Sequence, residues 1–171
     1  MLTSFRKKIC LLGDYSVGKT SLIRRFVHNR FDDKYISTIG VNVSRKTVSV
    51  SPAGNVVEVT MMIWDMAGGE EFSQMQGSYL RGADGAILVC DLTRAHTLEQ
   101  LETHAHNFLR INPTSKLVIV ANKKDLINQV LLTGDQLDTM AVAFDTRYFR
   151  TSAKTGDEVE SAFRFLAQLL I

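Results

Sequence analysis

Cysteine, proline and tryptophan are scarce in this chain: two, two and one in 171 residues. Cys10 and Cys90 both lie inside apolar runs, so buried reduced thiols are expected rather than a disulfide. With Pro52 and Pro113 the only prolines, there is no proline-rich linker, and neither a repeat nor a low-complexity segment appears. No apolar run approaches the roughly 18 residues of a membrane span, and the N-terminus has no signal-peptide core. Neither charge sign dominates. Twenty Lys and Arg face 18 Asp and Glu, which implies no strong field toward nucleic acid or membrane. The basic cluster Arg6-Lys7-Lys8 reads as a solvated strand start. What remains is one domain, residues 1–171, large enough to bury a core and expected to be cytoplasmic.

Short apolar runs alternate with longer amphipathic stretches. "KICLLG" (8–13), "GAILVCDL" (85–92) and "KLVIVAN" (116–122) are nearly continuous, as strands covered on both faces should be. Helices are expected over 18–28, 94–109, 133–144 and 156–170. Leu98, Leu101, Ala105, Phe108 and Leu109 recur at helical spacing, as do Val159, Ala162, Phe163, Leu166 and Leu170. "VSRKTVSV" and "NVVEVTMMIWD" flank "SPAG" and read as a hairpin. This alternation predicts an α/β fold, a mostly parallel sheet covered by helices. Ligands of such sheets bind beyond the carboxyl ends of the strands, and the unusual residues fall there.

The first strand runs into "GDYSVGKTS" (13–21), a G-x-x-x-x-G-K-[ST] phosphate loop with a strand before it and a helix after. Gly13 and Gly18 allow backbone conformations and close approaches that a Cβ would hinder. Successive N–H groups across Asp14, Tyr15, Ser16, Val17 and Ser21, with the helix N-terminus behind them, suit an oligophosphate. Lys19 adds a compact charge for the β and γ phosphates, and the Thr20 hydroxyl suits Mg²⁺. This motif implies a nucleoside triphosphate without naming the base.

In "WDMAGG" (64–69), Asp65 ends a hydrophobic strand and is placed to hold the magnesium. Gly68 offers a backbone N–H to a γ-phosphate. The base is read from "ANKKD" (121–125). A carboxylate only accepts, so Asp125 pairs with N1–H and the exocyclic amine of guanine, whereas adenine leaves it unpaired. Asn122 can tie this strand to the phosphate loop, and the stem of Lys123 can cover the base. "TSAK" (151–154) supplies backbone N–H groups of Ser152, Ala153 and Lys154 for guanine O6.

These segments, together with "YISTIGV" (35–41) and "YLRGADGAILVCDLT" (79–93), resemble the Ras superfamily of small GTPases, most closely its Rab branch, over essentially residues 5–170. The resemblance implies the P-loop NTPase fold of small G proteins: six strands, one antiparallel at the edge, with helices on both faces. It implies bound GTP or GDP with Mg²⁺. Phe31 would pack on the guanine edge and Tyr35 would close over the phosphates. Thr38 would bind Mg²⁺ and the γ-phosphate in the GTP state, joining Thr20 and Asp65 as metal-side residues. Lys19, Thr38 and Gly68 are then the residues expected to act on the γ-phosphate during hydrolysis. Segments 31–41 and 66–79 would be the switches read by effectors, exchange factors and activating proteins. Ile39 and Phe72 are the expected recognition residues, with Trp64 packing inward.

Three departures from the family pattern bear on activity. Gly69 replaces the glutamine that follows the switch glycine, which predicts slow hydrolysis. Tyr15 stands where a very small residue is usual. Ile171 ends the sequence without a cysteine for a lipid anchor, so membrane association is expected only through partners or a missing tail. The hairpin at 46–60 is a few residues long for the family. His104 and His106 point apart on a helix and form no metal pair. Arg24, Arg25, Arg81 and Arg94 read as solvated. The alternative to a switch that hydrolyses GTP is a GTP-bound regulatory module with little hydrolysis. A P-loop kinase or ATPase fits "NKKD" and "TSAK" poorly.

Overall fold

The computed structural model describes residues 3–68 and 73–171. Gly69, Glu70, Glu71 and Phe72 therefore lie outside the described residues. The strands are β1 (Thr3–Leu12), β2 (Val41–Val50), β3 (Val57–Met66), β4 (Gly85–Asp91), β5 (Lys116–Asn122) and β6 (Tyr148–Arg150). The helices are α1 (Lys19–His28), α2 (Ser73–Leu80), α3 (His96–Ile111), α4 (Gly134–Ala143) and α5 (Val159–Leu169). One sheet runs in the order β2-β3-β1-β4-β5-β6. All neighbours are parallel except the edge pair β2–β3, in which Val43 lies opposite Trp64 and Val50 opposite Val57.

The period of two along β1 sorts its side chains between two cores. Ile9 and Leu11 face one cluster with Leu22 and Phe26 of α1 and Phe163 and Leu166 of α5. Cys10 and Leu12 face the other with Leu98, Leu101 and Phe108 of α3 and Leu137 of α4. Both faces of β1, β4 and β5 are thus covered, which is why their sequences are continuously apolar. Phe26 and Phe163 stack with centroids 4.0 Å apart and planes 6° from parallel, locking α1 to α5. The expected helical stripes are buried, apart from the half-buried Leu109 and Leu170 at their ends. Both cysteines are free and buried, and burial pushes each thiol up to about 12, so neither is a reactive thiolate.

Some elements differ from expectation. The first strand begins at Thr3, five residues before the apolar run, because its outer half pairs with β3. Lys8 is not a solvated charge. Its ammonium donates to the carbonyls of Tyr79 (2.5 Å) and Arg81 (2.9 Å) and sits 4.1 Å from the Trp64 ring centre. Trp64 is half-buried under that ammonium and packs on the second core, so its inward placement holds in part. The hairpin turns through a short 3₁₀ segment, Pro52–Gly54. α4 starts with a reciprocal capping box in which Thr133 and Gln136 satisfy each other's backbone N–H. Among the described residues, no helix is long and apolar enough to cross a membrane.

Candidate functional site

A cavity of about 360 Å³ opens beyond the carboxyl ends of the central strands, walled by the phosphate loop, residues 31–38 and the loops after β5 and β6. All the sequence-predicted site residues line it except Gly13, Asp14, Val17, Asp65 and Ser152.

The phosphate loop is shaped by its glycines. A Cβ on Gly13 would lie 2.3 Å from the Val89 carbonyl oxygen, and one on Gly18 would lie 2.2 Å from Asn122 Nδ2. Gly18 also has φ +105°, and Ser16 is held at φ 61°, so the loop carries backbone strain at the point where it curls. Lys19 is 7% exposed and its ammonium donates to the carbonyls of Gly13 (2.8 Å) and Asp14 (2.9 Å). Burial pulls its pKa down to about 8, against the opposing charges of Asp65 and Asp14. A buried cation whose hydrogen bonds among the described residues go to carbonyls favours an anion in the cavity. Gly68 closes on this loop. A Cβ there would come within 3.0 Å of the Tyr15 backbone and 3.1 Å of Lys19 Nζ.

Thr20 contacts both Thr38 and Asp65. Thr20 Oγ1 donates to Asp65 Oδ2 at 2.6 Å and lies 2.6 Å from Thr38 Oγ1. Asp65 is 4% exposed, and its second oxygen, Oδ1, is buried without a hydrogen-bond partner among the described residues. Burial raises the Asp65 pKa, with the Thr20 hydroxyl and Lys19 opposing. An orphaned buried carboxylate oxygen beside two hydroxyls fits a hard divalent cation that takes oxygen ligands. Among the described residues, no group of three His, Cys, Asp or Glu could hold a metal, so such a cation would rely on Asp65, these hydroxyls and ligands from outside the chain.

The base-side loops are fastened to the phosphate loop by buried polar groups. Asn122 Nδ2 donates to the Val17 carbonyl (3.0 Å), while its Oδ1 accepts from Thr151 Oγ1 (3.1 Å) and the Ala153 N–H (3.2 Å). The Ala153 N–H expected for guanine O6 is thus directed at Asn122. Lys123, at φ 71°, donates to the Ser16 carbonyl at 2.8 Å. Asp125 accepts from Ser152 Oγ at 2.7 Å, which leaves its other oxygen for the cavity. Phe31 is 37% and Tyr35 58% exposed on the cavity's rim. Of the two expected recognition residues, Ile39 is 88% exposed, and Phe72 lies outside the described residues.

Sequence reasoning missed several groups that hold this site. Asp91 is fully buried and binds Lys123 Nζ (2.7 Å) and Arg94 Nε (3.0 Å); Arg94 then donates to the Tyr15 carbonyl at 2.7 Å. Arg25 is not a solvated arginine: it donates to the carbonyls of Ala153 (2.9 Å) and Lys154 (2.5 Å). Arg24 lines the cavity, one helical turn beyond Thr20. That i,i+4 spacing was visible beforehand, but the Ala153 and Tyr15 carbonyls that Arg25 and Arg94 bind lie 128 and 79 residues away.

Fold and site together define a P-loop nucleotide-binding α/β protein. The model of the Ras family matches residues 8–171. Ras-related protein Rab7 of Drosophila melanogaster is 38% identical over 166 residues, covering 94% of this chain and 78% of that protein. Ras-related protein SEC4 of Saccharomyces cerevisiae is 36% identical over 164 residues, covering 95% and 74%. Ras-related protein Rab-13 of Bos taurus is 34% identical over 163 residues, covering 94% and 78%. The chain belongs to the Ras family and is Rab-like. Members of that family are GTP-binding molecular switches and GTPases, which bind Mg²⁺ and engage effectors, exchange factors and activating proteins.

Proposed function

We propose that residues 1–171 form a single small GTPase domain, a switch that binds GTP or GDP with Mg²⁺ and hydrolyses GTP slowly, assisted by an activating protein. The observation that carries this reading is Asp125, held by Ser152 at one end of a cavity whose other end holds Lys19 and the Thr20–Asp65 pair. In this reading Asp125 takes the two donors of guanine, Asn122 and Lys123 fix its loop, and Phe31 flanks the base. The phosphate-loop N–H groups and Lys19 neutralise the β and γ phosphates. Thr20, Thr38 and Asp65 would hold Mg²⁺, which when bound offsets the charge of the phosphate oxygens. Thr38 and the Gly68 N–H engage the γ-phosphate, so segments 31–41 and 66–79 relax when it leaves and partners read the difference. The protein works in the cytoplasm, reaching membranes through partners or through a tail beyond these residues.

Chromatography of the nucleotide released from denatured protein should give GDP or GTP; ATP or ADP would overturn the guanine assignment. Asp125→Asn should cut guanine affinity by at least about a hundredfold, because the amide turns a donor toward a donor. It should favour xanthine, whose 2-oxo group accepts. Unchanged GDP affinity would refute the role of Asp125.

Gly69 favours a second reading, a GTP-bound regulatory module with little turnover, because glycine has no side chain to orient water. Single-turnover hydrolysis separates the two. We expect about hours per GTP unaided, and faster hydrolysis in Gly69→Gln combined with Tyr15→Gly. A parent that turns over in seconds refutes the slow-hydrolysis reading, and no gain in any variant supports the regulatory module.

A further inference from the structure

Tyr15 has a partner on the far side of the cavity mouth. Its hydroxyl lies 3.2 Å from Ser37 Oγ, and the Tyr35 hydroxyl lies 3.4 Å from the same oxygen. The two phenol rings meet edge to face, with centroids 5.5 Å apart and planes at 70°. This is a preferred aromatic geometry, worth more than the contact area alone. A single serine hydroxyl, with one proton and two lone pairs, can serve both phenols at once.

The anchor beneath Tyr15 is firm. Its N–H donates to Asp14 Oδ1 at 2.7 Å, and its carbonyl accepts from Arg94, which the buried Asp91 holds. The segment across from it has few other ties. Residues 29–37 are all exposed, and their other side-chain bonds among the described residues are those of Asn29 Oδ1 with Arg25 and of Asp32 with the Lys34 N–H. A chain with so little buried surface opens easily, so two hydroxyl contacts and one ring contact weigh heavily in its position. All three are made by protein groups alone.

We propose that Tyr15, Ser37 and Tyr35 form a side-chain latch that biases the first switch segment toward closure over the cavity, on top of what the nucleotide itself contributes, and so slows nucleotide exchange. They are positioning residues for the exchange step. The proposal rests on the guanine-nucleotide reading of the same site. A partner that promotes exchange must part the Tyr15 ring from Tyr35 before it can open the cavity.

Release of a fluorescent GDP is measured for the parent, Tyr15→Phe, Ser37→Ala, the double variant and Ser37→Thr. Tyr15→Phe and Ser37→Ala should each speed release about three- to tenfold, the kinetic counterpart of one modest hydrogen bond. The double variant should be no faster than the quicker single, because both changes remove one shared contact, and Ser37→Thr should stay near the parent. Singles within twofold of the parent, or effects that multiply in the double, would overturn the latch. A second readout needs no nucleotide: ¹⁹F NMR of 3-fluorotyrosine at Tyr35. The latch predicts that Tyr15→Phe and Ser37→Ala each move this resonance toward its solvent-exposed value, and a resonance indifferent to both overturns it. If the parent binds no guanine nucleotide while the resonance does respond, the nucleotide reading fails and the contact itself stands.

Discussion

Asp91→Asn replaces one carboxylate oxygen with an amide group at a fully buried site. In the parent that carboxylate takes Lys123 at 2.7 Å, Arg94 at 3.0 Å, and the N–H and hydroxyl of Thr93 at 2.9 and 2.7 Å. Removing one member of a buried ion pair costs about 3–5 kcal/mol when the survivor stays buried. Here the cations keep 30% and 31% exposure and recover part of their hydration, so about 2 kcal/mol is expected. For a domain of this size that is a drop in Tm of about 4–8 °C. The pH dependence follows from the direction of the shift. Burial alone would raise the Asp91 pKa, but the bonds from Lys123 and Thr93 outweigh it and hold the carboxyl below its ordinary 3.8. A depressed folded-state pKa gives stability that is present above the unfolded value and lost as pH falls through the folded one. The gap between parent and variant should therefore stay level from neutrality down to about pH 4 and narrow only below it. Thermal unfolding by circular dichroism at fixed GDP and Mg²⁺ reads this, with a second series at tenfold higher GDP to remove the binding contribution. A gap below about 1 °C at neutrality, or one that widens on the way to about pH 4, would refute the reasoning.

Gly18→Ala sets a Cβ 2.2 Å from Asn122 Nδ2 at φ +105°. Strain of about 1–3 kcal/mol plus the broken Asn122 bond should lower Tm and accelerate GDP release together; urea and release curves matching the parent would refute the close approach. Chelating Mg²⁺ should speed GDP release by at least about tenfold, given the orphaned Asp65 Oδ1 and the paired hydroxyls of Thr20 and Thr38. Thr20→Asn should weaken GTP more than GDP. An off-rate unchanged by chelator would remove the metal assignment.

The parts of this molecule legible from sequence are those whose physics is local. The phosphate loop is contiguous, so its glycines, lysine and threonine announce themselves by spacing. Strands β1, β4 and β5 are covered on both faces and read as unbroken apolar runs. β6 is three residues at a sheet edge, half-buried at Tyr148 and Phe149 and exposed at Arg150, too short to show a period. α2, "SQMQGSYL", has no apolar stripe, and the sequence pattern did not show it. The charged residues misled for the opposite reason. Lys8, Arg25 and Arg94 look like surface charges until the fold supplies carbonyls 71, 128 and 79 residues away.

Those long-range bonds divide the site into two mechanical parts. Asn122, Lys123 and Arg25 join the base-reading loops to the phosphate loop and α1 through bonds to main-chain carbonyls. Asp91 adds a buried countercharge that fixes Lys123 and Arg94 at once. Opening these leaves polar groups without partners, so the proposed base and β-phosphate subsites should move as one body. The first switch segment is attached differently, by the hydroxyls of Tyr15, Ser37 and Tyr35 at the rim and by the Thr20–Thr38 contact. When that segment swings out, its exposed hydroxyls exchange protein partners for water at little cost. A recognition body that holds nucleotide, beside a segment whose contacts are individually cheap to break, is what a two-state switch needs. The Tyr15 ring adds weight to the closed side of that balance.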